Sequence, residues 1–261
     1  MMSGLESANL KLARAAEHIE AIRDVVWDYI EREPSDVTTE PNGKYVLNFR
    51  EPPPAAIAVL AGEAIYQIRS ALDHLAFELV KLNPNGTTLP TDWEEECVFP
   101  LWLDTPKKAP VYNCFKNTLP GITTGAFTFI ESVQPYHRRD TGNILRMLAV
   151  LSNIDKHRHL NLTKPQAYRR DEAVVIHKGH RMHSSSVRRA EDGARIESPF
   201  PFDTQIVDMQ VQGAFTPFVS FHESALGQGA ATLPVDYVLE LCLNSVKTPI
   251  LSAFEQFLRS P

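Results

Sequence analysis

The stretch IYQIRSALDHLAFELV, residues 65–80, sets Arg69, Asp73 and His74 among residues that otherwise read as the interior of a helix. Arg69 and Asp73 stand four apart, so they can pair along one side of that helix. His74 follows Arg69 by five residues and lies about 140° further round at 3.6 residues per turn. Both side chains can then border one cleft only where a second surface meets the helix between them. A second polar group closes the run LAVLSNIDKHRHL. There Asp155 and Arg158 continue the row Ile144, Leu148, Leu151, while His157 continues the row Met147, Val150, Ile154. Charges at the end of an apolar stripe must be paired or hydrogen-bonded if they are buried. If the two helices are neighbours, Arg69, Asp73, His74, Asp155, His157 and Arg158 converge on one polar pocket. Histidines beside arginines and carboxylates perform acid–base work near neutral pH. The structural reading of the same residues is a paired Arg–Asp side on one helix, and on the other a paired Asp–Arg lock with favourable positive charge at a helix terminus.

A metal site is the next chemistry to weigh. HKGHRMH holds His177, His180 and His183. In an extended segment His177 and His183 share a face and His180 points oppositely, with no carboxylate at a familiar spacing. No metal and no cofactor are expected. The chain has no GxSxG elbow for a serine hydrolase, and GITTG at 121–125 lacks the GK[ST] element of a phosphate loop.

The elements that must position these residues show in the periodicity. From Leu5 to about Arg32 the residues Leu12, Ala15, Ala16, Ile19, Ile22, Val26 and Ile30 recur at steps of three and four, which predicts a long amphipathic helix. A turn at Pro41-Asn42-Gly43 and a strand-like KYVLNF follow. A second long helix is predicted from about Pro54 to Leu82, closed by Asn83-Pro84-Asn85-Gly86. Residues 87–124 lack sustained period and read as an irregular, partly packed connection. Shorter helices are predicted at Gly125–Val133 and Thr141–Leu160. Then DEAVVIHKG, MHSSSVRRA, ARIES, TQIVDMQVQG and FTPFVSFHE alternate like strands, and a last helix spans about Val235 to Arg259. Grouped helices and grouped strands predict an α+β fold. Its form is a mainly helical bundle of four to five helices with a small antiparallel β-sheet insertion before the C-terminal helix. The expected organisation is one domain over 1–261, with the bundle at 1–165 and 234–261 and the β-rich insertion at 170–225.

Composition narrows the functional classes. The 261 residues are 43 % hydrophobic and 22 % charged, enough to bury a substantial core. Cys97, Cys114 and Cys242 are far apart and form no CxxC pair, which indicates neither a disulfide framework nor a cysteine zinc site. No signal peptide is read at the charged amino terminus, and no window reads as the ~20 apolar residues of a membrane span. A cytoplasmic setting without membrane contact is expected. The net charge of −6 is unevenly placed. Residues 134–195 hold 13 of the 26 Lys and Arg against 6 of the 32 Asp and Glu, together with six of the nine histidines. Such a local basic surface on an acidic chain can attract phosphates.

RSALDH, residues 69–74, resembles the RxxxxH motif of HEPN domains, helical nucleotide-binding and ribonuclease domains of bacterial defence and toxin systems. Ser70 stands after the arginine where that family commonly has Asn, Asp or His, and the motif sits on an early helix rather than a late one. RSALDHLAFELV, FPLW, QPY and NIDKHRHL together also resemble a bacterial family of uncharacterised proteins. The HEPN resemblance implies RNA binding and metal-independent RNA cleavage at a composite site in a homodimer. His74 would be the general base or acid and Arg69 would hold the scissile phosphate, with Lys156 and Arg158 on neighbouring phosphates. The competing expectation is a non-enzymatic scaffold that dimerises or binds a protein partner, for example an inactive member of a toxin–antitoxin or defence system.

Overall fold

The computed structural model describes residues 3–39, 45–107, 111–137, 143–157, 163–177, 180–190, 195–196, 205–208, 215–221 and 233–259. The fold is α+β and mainly helical, with antiparallel strands before the C-terminal helices. Two compact units form, one of Met1–Arg23, Ala56–Leu162 and Phe221–Pro261, the other of Asp24–Ala55 and Thr163–Ser220.

The first unit is the helical bundle. Helix α1 spans Gly4–Glu31, and its residues up to Arg23 belong here. Ser3 and Glu6 close a capping box at its start, each side chain accepting from the other's backbone N–H. Its buried residues Ala8, Leu12, Ala15, Ile19 and Ile22 follow the predicted steps of three and four. Helix α2, Ala55–Leu82, buries Ile57, Ile65, Ile68, Leu72, Leu75 and Leu79, each contributing about 1.5–3 kcal/mol of gross transfer energy. It ends at Asn83, which adopts φ 39° and receives the Thr87 N–H on its side chain at 3.1 Å. Gly4, Ser7 and His18 of α1 contact Glu78, His74 and Glu63 of α2, so the two helices run antiparallel.

α2 is the one described helix long and apolar enough to match a membrane span, where the sequence reading finds none. Half of its apolar window is buried within the protein. The stretch read as irregular contains two further helices, α3 at Trp93–Glu96 and α4 at Val111–Thr118. One or two turns are too short to establish a period in sequence. Helix α5 covers Thr124–Ser132, capped by the Thr123 hydroxyl, and α6 covers Ile144–His157. The last predicted helix is interrupted. α7, Val235–Ser245, and α8, Leu251–Arg259, flank a π turn at Val246–Ile250. Pro249 lies inside that turn and has no N–H to donate, which breaks the regular ladder. Arg23 ties α1 to α7 through Asp236 at 3.2 Å and Glu240 at 2.6 Å.

The second unit holds the strands and the end of α1. β1, Ser35–Thr39, and β2, Tyr45–Phe49, pair antiparallel, and β2 also pairs with β5, Arg195–Ile196. β1 lies where the sequence suggests only turn chemistry, and the unit extends beyond 170–225 because β2 recruits a strand nearly 150 residues away. The other sheet has the order β4-β3-β6, with β7, Phe215–Phe221, also on β3. β3 runs Thr163–His177, β4 runs His180–Ala190 and β6 runs Gln205–Asp208. Within this unit the Tyr29 hydroxyl donates to the Glu51 carbonyl at 2.8 Å, and burial pushes its pKa up to about 12.

Candidate functional site

Arg69 and Asp73 lie one turn apart on α2, and their side chains pair at 3.0 Å. Both also reach the main chain of Phe99. The Arg69 guanidinium donates to the Phe99 carbonyl, and the Phe99 N–H donates to Asp73 Oδ1 at 2.9 Å. The two residues therefore hold both polar groups of one peptide residue whose ring is fully buried and lies 6.0 Å from Phe254. They act as a clamp that fixes an irregular segment onto α2. Burial lowers the guanidinium's pKa, with the Asp73 charge pulling the other way, and the group stays charged. Its Nη1 is buried with no hydrogen-bond partner among the described residues.

His74 serves a different surface. Its Nδ1 shares a hydrogen bond with Ser7 Oγ of α1 at 2.5 Å. Burial draws the imidazole below its ordinary pKa, and the Lys11 charge acts in the same direction against Asp73. The ring is thus neutral near pH 7. It lines a cavity of about 430 Å³ together with Ser7, Phe77, Glu78, Lys81 and Cys97. Arg69 borders another cavity, of about 210 Å³, facing Trp102 and the α6 residues Ala149, Ser152 and Asn153. Hence α2 and α6 are neighbours at Arg69, as convergence requires, but Arg69 and His74 do not share a cleft within the described chain. The segment 97–99 packs on α2 between them, with Cys97 in the wall of the His74 cavity and Phe99 in the wall of the Arg69 cavity. The surface that meets the helix thus fills the space the two side chains would have to share. Asp155, Lys156 and His157 form the last turn of α6, but their side chains, and all of Arg158, lie outside the described residues.

The basic stretch is organised by the β3–β4 register. Arg169 is the register partner of Arg188, while Tyr168 faces Arg189 and Arg170 faces Val187. Four arginines thus occupy three successive register positions. By the strand period, positions 169 and 188 share one face and positions 170 and 189 the other. β4 pairs only with β3 among the described residues, so this ladder lies at a sheet edge. The same hairpin revises the histidine geometry. His177 and His180 are register partners, and His183 is opposite Val174, because HKGHRMH turns back on itself instead of extending. No group of three or more His, Cys, Asp or Glu suited to a metal occurs among the described residues.

Sequence reasoning missed Ser7, Phe77, Lys81 and Phe99 as neighbours of the RSALDH residues. Ser7 and Phe99 come from distant segments and leave no local periodic signal. Phe77 and Lys81 follow Asp73 and His74 by one or two turns, a spacing that could have marked them. No family model, curated protein or solved structure matches the chain.

Proposed function

We propose that the chain binds RNA through the β3–β4 hairpin, and that Arg69 serves the fold instead of a scissile phosphate. The observation that carries this reading is the arginine ladder: Arg169 opposite Arg188, with Arg170 and Arg189 one position away. Planar guanidinium forks suit phosphate oxygens, and a strand pair repeats them along a chain of phosphates. Charged residues also protect an exposed sheet edge from pairing with another chain. That role alone predicts aggregation on their removal, without any loss of RNA affinity.

Cleavage is the second reading, favoured by one observation. The His74 imidazole is neutral, hydrogen-bonded to Ser7 and beside an open cavity, as a general base must be. Arg69, engaged with Asp73 and Phe99, is not free to hold the phosphate beside it. A cytoplasmic homodimer is the proposed setting, and a partner-binding scaffold replaces this function if RNA does not bind.

Fluorescence anisotropy of a labelled single-stranded RNA, followed across a salt series, tests the binding. Each phosphate contact contributes a slope of about −0.7 in log affinity against log salt on single strands. Replacing Arg169, Arg170, Arg188 and Arg189 by serine should weaken binding and flatten the slope by up to ~2.8. An unchanged slope overturns the assignment. The same RNA incubated with a chelator and either wild type or His74→Ala tests cleavage, which the second reading requires to disappear in the variant.

A further inference from the structure

The cavity at His74 is walled by chemistry that RNA binding by the hairpin does not use. Phe77 lies in its wall, and its ring stacks on Trp93 at 5.0 Å with the planes 27° apart. Cys97 adds an apolar wall, since burial raises its thiol to about 12 and keeps it neutral. The polar groups already have partners, with one exception. Glu78 accepts the Gly4 N–H at 3.2 Å and lies 3.8 Å from Lys81, and Asp73 holds Phe99. His74 gives Nδ1 to Ser7, leaving Nε2 without a protein partner among the described residues.

Charge then selects the occupant. Asp73 is paired with Arg69 at 3.0 Å and Glu78 lies 3.8 Å from Lys81, so each carboxylate of the lining already has its cation and the cavity offers a charged ligand no unmatched counter-charge. A volume of about 430 Å³ lies within the ~300–1,000 Å³ range of small-molecule sites, which are apolar with a few orienting polar groups. We propose that this cavity binds an uncharged aromatic heterocycle, packed against Phe77 and hydrogen-bonded to Nε2 of His74. The Ser7 hydroxyl sets which tautomer His74 presents, so Nε2 meets a ligand acceptor when Ser7 donates and a ligand donor when Ser7 accepts. A ring bearing both an N–H and a bare nitrogen satisfies either state. All these residues belong to the first unit, so failure of RNA binding by the hairpin would leave the cavity untouched.

The test is an NMR titration of the full chain with benzimidazole and, separately, with benzimidazole-5-carboxylate, reading the His74 ring and Trp93 indole signals. Benzimidazole should give saturable shifts of both signals, and the carboxylate should bind more weakly. His74→Phe, which keeps an apolar ring at the position, should weaken benzimidazole about tenfold through loss of one hydrogen bond. Saturable binding that is equal in His74→Phe removes the hydrogen bond and overturns the site. Tighter binding of the carboxylate overturns the charge argument. Shifts absent up to the solubility of benzimidazole show that no such site exists.

Discussion

Replacing Arg69 by alanine tests the clamp most directly. Only 12 % of the Arg69 side chain is exposed and 27 % of the Asp73 side chain, so water cannot substitute fully for the lost partner. The charge-assisted bond to the Phe99 carbonyl is worth about 1.5–3 kcal/mol. Breaking a buried ion pair from one side costs roughly 3–5 kcal/mol, discounted here because Asp73 keeps some solvent and the Phe99 N–H. These overlap, since both describe one guanidinium, and the net expected loss is about 3 kcal/mol. For a chain of this size that lowers Tm by roughly 6–12 °C. Urea unfolding of Arg69→Ala, Asp73→Asn and the double variant measures it. Asp73→Asn keeps a side-chain acceptor for the Phe99 N–H and should cost less, about 1–2 kcal/mol. Replacing both residues by leucine should not restore stability, although ion pairs are often replaceable by apolar residues, because the Phe99 N–H and carbonyl would remain unpartnered. A loss under about 0.5 kcal/mol for Arg69→Ala, the size of an exposed pair, would refute the clamp.

Two further outcomes follow from the α1–α2 contact. The His74 pKa is lowered in the folded protein, so above pH 6.5, the ordinary histidine value, both states are neutral and pH has no effect through this group. As pH falls through 6.5, the unfolded chain binds a proton that the folded chain resists, and His74 contributes a progressive loss of stability until its lower native pKa is passed. The Tm of His74→Phe should therefore fall less than that of the wild type over this interval, and equal slopes would contradict the shift. Gly4→Ala should destabilise by about 1–3 kcal/mol, because a Cβ there would lie 2.7 Å from Glu78 Cβ and 2.9 Å from the His74 carbonyl. Thermal unfolding of the variant reads that cost, and an unchanged Tm would show that the start of α1 is not held so close.

The sequence determined the two long helices, their apolar faces and the close of α2 at Asn83, because each depends on residues a few positions apart along the chain. It also placed Arg69 and Asp73 on one side of a helix, since the i,i+4 relation is local. Tertiary structure decided what that pair holds, because the Phe99 main chain carries no side-chain signature and arrives from 26 residues beyond Asp73. It likewise separated His74 from Arg69, since each position meets whichever neighbour packs against its own side of α2. The Ser7 hydroxyl reached His74 only through the antiparallel packing of α1 on α2. Thirteen basic residues were countable between 134 and 195, but no count reveals that Arg169 faces Arg188. Strand register is set by pairing across the chain, and a slip of one residue would have placed each arginine on the opposite face.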